Sequence, residues 1–474
     1  MKQQYINGAW CGAVGGGVWP LVNPATDTVF AEVPYGDGAD ARAAIAAARA
    51  ALPAWSAATA WTRCDILRRA ADYIRLHVEA FAHDMVLESG KPLVEARGEW
   101  LVAAGLFDWY AEEGKRAYGR VLPSSRADKR MQVIWQPVGV VGVITAWNFP
   151  AYNPARAWAA ALAAGCTVVG KGSEFTPHST MNLTLALVEA GIPSGVLNMV
   201  NGDAAAIGDE MLGNADVAKL SFTGSTRVGR ILMDGASRTH TKLSLELGGN
   251  APVIVMDDVD VAKVAALAVA TKFRNCGQVC VSPQRFYVHR TIYDAFVAAV
   301  IERVQGIKCG FGLEKETRMG PLINRRQQQT VCEIIEQAKS EGCIVVAGGE
   351  VAEQGGYFVT PTIIAVEDAK TPFLKREIFG PVMPIVPFDT REQVIEWAND
   401  TEYGLAAYVC TNRLQDAVWL SEHLEFGMVG VNEWAPHGIE APFGGWKQSG
   451  IGHESGPDGL TEYMEKKLIS YGGL

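Results

Sequence analysis

Residues 138–147, VGVVGVITAW, form an apolar run directly after Pro137, and its length and composition are typical of a buried strand. From residue 138 to residue 257, runs of this kind alternate with amphipathic helical patterns such as 180–190. The predicted strands of this region are 138–146, 167–169, 196–200, 219–222 and 252–256. Such alternation predicts a doubly wound parallel α/β sheet. Ligand-binding residues are expected beyond the carboxyl ends of its strands.

A second α/β region begins near Val259 and contains the polar loop 272–283, KFRNCGQVCVSP. Helical patterns precede this loop, follow Tyr293 and cover 329–339. The predicted strands of this region are 286–288, 344–347, 360–366, 383–387, 406–410 and 428–432. The chain has 474 residues, more than one hydrophobic core usually supports, so two or three domains are expected. We expect the second domain to present the loop to the first.

The two ends of the chain predict short surface strands. The N-terminal MKQQYINGAW predicts a strand with an Asn-Gly turn, and helices are predicted from Asp40 and over 63–83. Residues 131–135, MQVIW, predict an exposed strand. The tail EKKLISYGGL contains a strand-like piece with no obvious partner in either domain. Exposed strands of this kind often pair between subunits, so a homo-oligomer, a homodimer or homotetramer, is expected.

Composition narrows the class of protein. Hydrophobic residues make up 49% and charged residues 20%, which is ordinary for a globular chain. A net charge of −10 and a pI near 5.4 argue against nucleic acid or anionic membranes as partners. The N-terminus lacks a secretory signal and no apolar run reaches membrane-spanning length, so a cytoplasmic location is expected. Nine scattered cysteines without a paired CxxC pattern predict neither a disulfide framework nor a metal site.

Cys280 is the candidate nucleophile of the loop. It lies in a polar segment that contains glycine and follows Arg274. A thiol acts as a nucleophile where its surroundings lower its pKa and leave it accessible, and this segment is a plausible setting for both. The alternative is a buried, inert cysteine, which is the commoner kind in an intracellular protein.

Two groups at predicted strand ends suit a nucleotide. The turn 222–229, FTGSTRVG, joins a strand to a helix, and its backbone N–H groups with the helix dipole can bind phosphate. A simple helix-capping turn explains the same residues. In 170–174, GKGSE, Lys171 and Glu174 can both bond ribose hydroxyls, and the carboxylate would repel a 2′-phosphate. A solvated loop pair is the alternative.

Two further groups suit acyl chemistry. Asn148 follows the strand 138–146 in AWNFP, where its amide can stabilise an oxyanion with little reorganisation, or else cap a turn. Glu246 lies among leucines in LSLELGGN, and partial desolvation is expected to raise its pKa into the range of a general base. A solvated or salt-bridged glutamate is the alternative.

Seven motifs in one order resemble the aldehyde dehydrogenase superfamily over essentially the whole chain. They are WNFP, the GKGSE pair, FTGSTRVG, LELGGN, FRNCGQVC, EIFGPV at 377–382 and PFGGWKQSG at 442–450. The resemblance implies an α/β aldehyde dehydrogenase fold with a Rossmann-like NAD-binding domain over 1–118 and 138–247. It also implies an α/β catalytic domain over 248–446 and a small β oligomerisation arm formed by 119–137 and 447–474.

The resemblance also implies roles for individual residues. It implies Cys280 as nucleophile, Glu246 as general base and Asn148 as oxyanion donor, with no metal. Cofactor-binding residues implied in this way are Trp147, Lys171, Glu174, Gly224, Ser225, Gly229, Leu247, Glu377 and Phe379. The implied cofactor is NAD, with NADP possible, and Glu174 favours NAD. The implied partner is a small aldehyde.

Within the superfamily the sequence is most similar to succinate-semialdehyde and 2-oxoglutarate-semialdehyde dehydrogenases. Arg156 and Arg274 match the positions that clamp a distal carboxylate, a task that suits guanidinium groups. Arg274 alternatively lowers the pKa of Cys280 or pairs with a surface acid. His437 and Phe443 complete the predicted substrate site.

Two departures from those enzymes affect the prediction. The loop 432–440, NEWAPHGIE, places Pro436 or His437 where a serine is usual, so His437 replaces the donor, or Trp434 and His437 reshape the site for a larger or aromatic aldehyde. Residue 282 is serine rather than a second redox cysteine, and Cys276 is interpreted as a bystander. The competing functions are a CoA-acylating dehydrogenase, which generally lacks the base, and a catalytically inactive protein of the same fold.

Overall fold

The computed structural model describes residues 3–352 and 355–473. The first half of the chain carries eleven strands: β1 Gln4–Ile6, β2 Ala9–Cys11, β3 Val18–Asn23, β4 Thr28–Pro34, β5 Arg120–Leu122, β6 Lys129–Pro137, β7 Val140–Ile144, β8 Thr167–Lys171, β9 Leu197–Val200, β10 Val217–Thr223 and β11 Lys242–Glu246. Its helices are α1 Gly38–Ala57, α2 Ala60–Leu76, α3 Val78–Ser89, α4 Leu93–Glu113, α5 Tyr152–Ala164, α6 Pro177–Glu189, α7 Ala204–Gly213 and α8 Thr226–Ala236.

The second half continues the same alternation. Its strands are β12 Ala251–Val255, β13 Pro283–His289, β14 Ile344–Ala347, β15 Thr362–Ala365, β16 Val382–Phe388, β17 Tyr403–Gly404, β18 Ala406–Cys410, β19 Met428–Val431, β20 Trp446–Lys447, β21 Gly450–Ile451 and β22 Met464–Gly472. Its helices are α9 Val261–Phe273, α10 Tyr293–Gln305, α11 Arg325–Ser340, α12 Arg391–Asn399, α13 Leu414–His423 and α14 Gly456–Thr461. A 3-10 turn, Arg274–Gly277, follows α9 directly.

The first large sheet has the order β2-β1-β9-β8-β7-β10-β11-β21. Its five central strands, from β9 to β11, are mutually parallel. Every residue of β7 and β8 is buried, as expected where helices cover both faces of a parallel sheet. The prediction of a doubly wound α/β sheet is confirmed.

The second large sheet has the order β14-β15-β16-β13-β12-β18-β19 and is parallel except for β14. The strand predicted over 252–256 is β12, which lies inside this second sheet. Counting it with the first α/β region was wrong, because a buried apolar strand has the same composition in either sheet.

The tail of the chain has a partner within the same chain. β22 pairs antiparallel with β6 from Met464 opposite Pro137 to Gly472 opposite Lys129, and β5 pairs with the other edge of β6. We call this three-stranded unit, β22-β6-β5, the third sheet. The expectation that the tail lacks an intrachain partner was therefore wrong. Its partner is the strand predicted over 131–135, so strands from the two segments that the resemblance assigned to one β arm, 119–137 and 447–474, pair with each other.

Two local predictions have different outcomes. The N-terminal hairpin of β1 and β2 is confirmed, with Asn7 at φ 51° and Gly8 at φ 85°, the positive values that a tight Asn-Gly turn requires. The single helix predicted over 63–83 is two helices, α2 and α3, separated at His77. No helix among the described residues has both the length and the apolar character needed to cross a membrane.

Candidate active site

A groove of about 510 Å³ lies at the carboxyl edge of the first sheet. The last residues of β7, β8, β10 and β11 all line it: Ile144, Lys171, Thr223 and Glu246. Loops of the second α/β region contribute further lining residues: Cys280, Gln327, Thr330, Glu377, Ile378 and Phe379. The groove therefore lies where the doubly wound pattern predicts a ligand site.

Cys280 and Glu246 lie together in this groove. Burial raises the pKa of Glu246 to about 8, as predicted for a carboxyl among leucines, and the guanidinium of Arg156 opposes this shift. Burial and the charge of Glu246 raise the pKa of Cys280 well above its ordinary value, again opposed by Arg156. The expectation that its surroundings lower the thiol pKa was wrong for the protein without bound ligands. The loop is buried rather than solvated. The charge of Glu246 raises the pKa of Cys280 more than the charge of Arg156 lowers it.

Asn148 is held against the nucleophile loop. It follows β7, and its side-chain Nδ2 donates to the carbonyl oxygen of Gln278 at 3.2 Å. Its Oδ1 accepts from Nδ2 of Asn153 at 3.3 Å. Asn148 and Cys280 both line the groove, so the two predicted catalytic residues from different α/β regions come together. The Asn148 amide thus donates to the loop that carries Cys280.

One wall of the groove carries the predicted ribose and phosphate residues. Nζ of Lys171 donates to Oε2 of Glu174 at 3.0 Å, and the lysine side chain is buried whereas that of Glu174 is 26% exposed. Ser225 is the N-cap of α8, where its hydroxyl accepts from the backbone N–H of Val228 at 3.4 Å. Gly224 donates its N–H to the carbonyl oxygen of Glu246 at 2.9 Å. The start of α8 is thereby fixed to the strand that ends in Glu246.

The opposite wall carries Glu377 and Phe379. Burial raises the pKa of Glu377 to about 7, and its Oε1 accepts from the backbone N–H of Gly249 at 2.9 Å. Phe379 has a positive φ of 48°, and its ring stands perpendicular to that of Trp147 at 5.5 Å between centroids. These aromatic rings and Glu377 line the groove on the side of Cys280.

Gly229 and Leu247 differ in their relation to the groove. Leu247 lines it, as predicted. Gly229 is buried in α8, and a Cβ at that position would lie 2.7 Å from Cδ2 of Leu247. The structure therefore places Gly229 behind the groove, where its lack of a side chain allows α8 to pack on Leu247. The prediction of Gly229 as a direct cofactor ligand is corrected accordingly.

A second cavity, of about 270 Å³, lies beside the nucleophile loop, and we call it the side cavity. It is lined by Lys91, Glu95, Gly98, Glu99, Val102, Phe149, Tyr152, Arg274 and His437. Phe149 of the side cavity directly follows Asn148, which lines the groove. The side chain of Arg274 is exposed in the side cavity, with its guanidinium carbon 5.3 Å from the centre of the Phe149 ring. Arg274 is therefore available to an anionic ligand.

Arg156 is not on the wall of the side cavity. Its side chain is 1% exposed, and Nη2 pairs with Oε2 of Glu454 at 2.5 Å. The guanidinium carbon lies 4.2 Å from the Phe443 ring centre and 5.0 Å from that of Tyr152. The prediction of two arginines facing the substrate together is thus not met in this structure, since only Arg274 is open to a ligand. Phe443 is likewise buried beneath the cavity wall.

His437 lines the side cavity, whereas Trp434 does not. Burial and the charges of Arg274 and Arg156 lower the pKa of His437 to about 4, so the imidazole is neutral at neutral pH. Trp434 instead stacks on Tyr408 at 5.7 Å and borders a separate small cavity. Trp434 is therefore not among the residues that line the side cavity.

Three charged residues of the side cavity escaped the sequence prediction: Lys91, Glu95 and Glu99. The available signal was the spacing of the two glutamates, which places both on one face of α4. Lys91 and Glu99 pair with each other over a short stretch of chain, but their hydrogen bonds to 148–152 and that of Glu95 to Asn275 join segments that are distant in sequence. Among the described residues no group of three or more His, Cys, Asp or Glu could hold a metal ion.

Comparison with known proteins identifies the family. The model of the aldehyde dehydrogenase family matches residues 10–469. The chain is 45% identical over 471 residues to a succinate-semialdehyde dehydrogenase [NADP(+)] of Escherichia coli, covering 99% of this chain and 98% of that one. It is 45% identical over 468 residues to a glutarate-semialdehyde dehydrogenase of Pseudomonas putida, covering 99% and 97%.

A solved structure agrees with these sequence comparisons. The succinate-semialdehyde dehydrogenase of Burkholderia pseudomallei superposes with a TM-score of 0.98 at 42% identity, covering 100% of this chain and 98% of that chain. The groove and the nucleophile loop described above therefore lie in a fold shared over the full length. The chain belongs to the aldehyde dehydrogenase family and is an oxidoreductase that oxidises aldehydes.

Proposed function

We propose that this enzyme oxidises a semialdehyde with a distal carboxylate, such as succinate semialdehyde, to the dicarboxylic acid with NAD as acceptor. The observation that carries the proposal is the exposed Arg274 in the side cavity, whose lining residue Phe149 is next in the chain to Asn148 of the groove that holds Cys280. Guanidinium binds carboxylate through two charge-assisted hydrogen bonds. Relatives named for succinate semialdehyde and glutarate semialdehyde are consistent with this substrate class.

The residues of the groove fit a dinucleotide. A side chain at Gly224 would collide with the ring of Phe222, and a Cβ at Gly248 would lie 2.7 Å from Oε2 of Glu377. The lack of a side chain at these two positions therefore lets Phe222 and Glu377 pack directly on the backbone that lines the groove. The exposed N-terminus of α8 suits the pyrophosphate, Lys171 with Glu174 suits the adenine ribose, and Glu377 suits the nicotinamide ribose.

The chain's own groups then carry the acyl chemistry. The Cys280 thiolate attacks the aldehyde carbon, and the oxyanion is stabilised by the Asn148 amide and the backbone N–H of Cys280. Loss of hydride from this adduct, for which a dinucleotide in the groove would be the acceptor, leaves the thioester on Cys280. Glu246 removes a proton from the water that hydrolyses the thioester on Cys280, a task that suits its raised pKa. The acid is released and Cys280 is regenerated.

Glu174 is the reason for proposing NAD over NADP. Its partly exposed carboxylate lies on the ribose wall, bonded to Lys171, where it favours ribose hydroxyls and repels a 2′-phosphate. Two relatives carry NADP in their names, so the preference for NAD is a specific expectation for this chain.

Assembly into a homodimer or homotetramer is part of the proposal. The third sheet carries exposed apolar side chains, Val121 at 77%, Leu468 at 59% and Tyr471 at 46%. Among the described residues β22 is paired along one edge only. Exposed edges of this kind favour pairing between copies. Light scattering after gel filtration tests this, and a mass of 51.0 kDa, that of one chain, would contradict it.

An absorbance screen for NADH tests the function. Succinate semialdehyde is expected to show a kcat/KM at least about tenfold higher than butanal, a four-carbon aldehyde without the carboxylate. Equal values, or a preference for butanal, would overturn the substrate proposal. A strict requirement for CoA would identify an acylating enzyme instead. Cys280→Ala is expected to abolish NADH production, and retained activity would refute its role as nucleophile.

A further inference from the structure

Glu99 fixes the backbone that follows the oxyanion donor. Its Oε1 accepts from the backbone N–H of Ala151 at 2.8 Å and of Tyr152 at 3.1 Å. Its Oε2 accepts from Nζ of Lys91 at 2.5 Å, and the lysine and glutamate side chains are 1% and 2% exposed. A carboxylate with three donors in a buried site holds its partners in one geometry.

Lys91 extends this contact to Asn148 itself. Its Nζ also donates to the Asn148 carbonyl oxygen at 2.9 Å. The same oxygen accepts from Nδ2 of Asn275, in the nucleophile loop, at 3.0 Å. The carbonyl of the predicted oxyanion donor is therefore held from both sides, by α4's flanking lysine and by the loop that carries Cys280.

Glu95, one turn before Glu99 on α4, holds the nucleophile loop. Its Oε2 accepts from the backbone N–H of Asn275 at 2.9 Å. Asn275 and Cys276 have positive φ values of 48° and 56°, a conformation that costs free energy unless the surroundings enforce it. Nδ2 of Asn275 also donates to the Gln278 oxygen that accepts from Asn148. One helix thus binds both catalytic segments.

We propose that Lys91, Glu95 and Glu99 are positioning residues that fix the Asn148 segment relative to the Cys280 loop. The inference rests on the proposed function, since it assumes that Asn148 and Cys280 act as oxyanion donor and nucleophile. The three residues contact neither reacting atom. They act through hydrogen bonds to the backbone on which those atoms are carried. A misplacement of about 1 Å in such a site lowers the rate by about a hundredfold.

The test uses the full-length enzyme with succinate semialdehyde and saturating NAD. Lys91→Met and Glu99→Gln are each expected to lower kcat by about a hundredfold. The KM for NAD and the rate at which iodoacetamide alkylates Cys280 are expected to stay at wild-type values, because alkylation needs the thiol and forms no oxyanion. Loss of alkylation in parallel with kcat would show general disruption and overturn the proposal.

A double variant separates positioning from stability. Each single change leaves one buried charge of the Lys91–Glu99 pair without its partner, which is destabilising. The double change, Lys91→Met with Glu99→Gln, removes both charges of the pair. The double variant is expected to regain thermal stability but not kcat. Recovery of kcat together with stability would show that the pair is merely structural and would overturn the proposal.

Two reference variants complete the design. Arg97→Met removes an exposed ion pair with Glu79 from the same helix and is expected to leave kcat unchanged. An equal loss in Arg97→Met would overturn the proposal. Asn148→Ala is expected to match the loss in Lys91→Met. If Asn148→Ala keeps full kcat, the proposed role of Asn148 has failed; if only Asn148→Ala is impaired, the positioning inference has failed.

Discussion

The carboxylate of Glu246, the last residue of β11, lies beside the thiol of Cys280, and its charge raises the pKa of that thiol. The charge of Glu246 therefore opposes ionisation of the thiol, whereas a hydrogen bond with Cys280 lowers the pKa of Glu246, and Arg156 lowers the pKa of both groups. Burial and the charge of Glu246 both favour the neutral thiol over the thiolate.

Glu246→Gln is expected to lower the pKa of Cys280. Removal of the negative charge favours the thiolate, so alkylation by iodoacetamide becomes faster at neutral pH while aldehyde oxidation falls by about a hundredfold or more. The pH dependence of the alkylation rate measures this shift. Glu112→Gln, a surface change, is the control. A higher apparent pKa in Glu246→Gln would mean that Glu246 instead accepts the proton of the thiol.

The pH profile of kcat provides a second check on Glu246. A general base works only when it is deprotonated, and the pKa of Glu246 is raised to about 8. We expect kcat to fall as the pH drops through about 8, wherever thioester hydrolysis limits the rate. Rapid-quench measurement of the acid produced locates the limiting step. A rate that is flat from pH 6 to pH 9 with hydrolysis limiting would exclude Glu246 as that base.

Arg274→Ala is expected to raise the KM for succinate semialdehyde by about tenfold to a hundredfold, the loss of a charged hydrogen-bonded contact. The KM for butanal is expected to change little, because butanal has no carboxylate. Arg274→Lys keeps the charge but loses the two-pronged contact, so an intermediate KM is expected. If both aldehydes respond equally to Arg274→Ala, the residue supports the loop rather than the substrate.

Glu174→Gln is expected to raise kcat/KM for NADP by about tenfold, because a like charge no longer faces the 2′-phosphate. The glutamine amide at position 174 can still bond the ribose hydroxyls and accept from Lys171, so activity with NAD is expected to fall only modestly. Initial rates with both cofactors give the ratio. No change in that ratio would place the 2′ position elsewhere in the groove.

Several residues that line the groove were predicted from the sequence because they follow strands that are recognised by their apolar runs. Asn148 and Glu246 each lie at or just beyond such a strand, and the sheet order then brings them to one edge. Arg156 was mispredicted because its environment is set by Glu454 and Phe443, which come from the far end of the chain. Spacing along the chain does not show whether a guanidinium already has a partner.

Long-range contacts also explain why the expectations for the pKa of Cys280 and for the partner of the tail were wrong. The pKa of Cys280 is raised by burial and by the charge of Glu246. Burial cannot be deduced from the loop sequence, and Glu246 lies outside the loop. The pairing of β22 with β6 joins segments separated by both large sheets. The ties from α4 to the nucleophile loop are likewise long-range contacts. Sequence motifs predicted which residues are catalytic, whereas the charged residues that surround them are brought there by the tertiary structure.

Lys272, near the end of α9, is a buried cation whose Nζ has no hydrogen-bond partner among the described residues. Burial lowers the pKa of Lys272 to about 7, opposed by Cys276. In an unfolded chain the lysine titrates near 10.4, so between about pH 7 and pH 10 the unfolded state binds a proton that the folded state lacks. The contribution of this group to stability therefore becomes more favourable as the pH rises through that window.

Lys272→Met removes the burial penalty while keeping the side-chain length. We expect the variant to be more stable than the wild type at pH 7, with the gain shrinking by about 1.4 kcal/mol for each pH unit towards pH 10. Denaturant unfolding at pH 7, 8 and 9 measures the difference. Lys263→Met, an exposed lysine on the same helix, is the control and is expected to show no such trend. A loss of stability in Lys272→Met at every pH would mean that the ammonium is satisfied within the folded protein. A gain independent of pH would mean that the pKa of Lys272 is not lowered by folding, since both states would then bind the same number of protons.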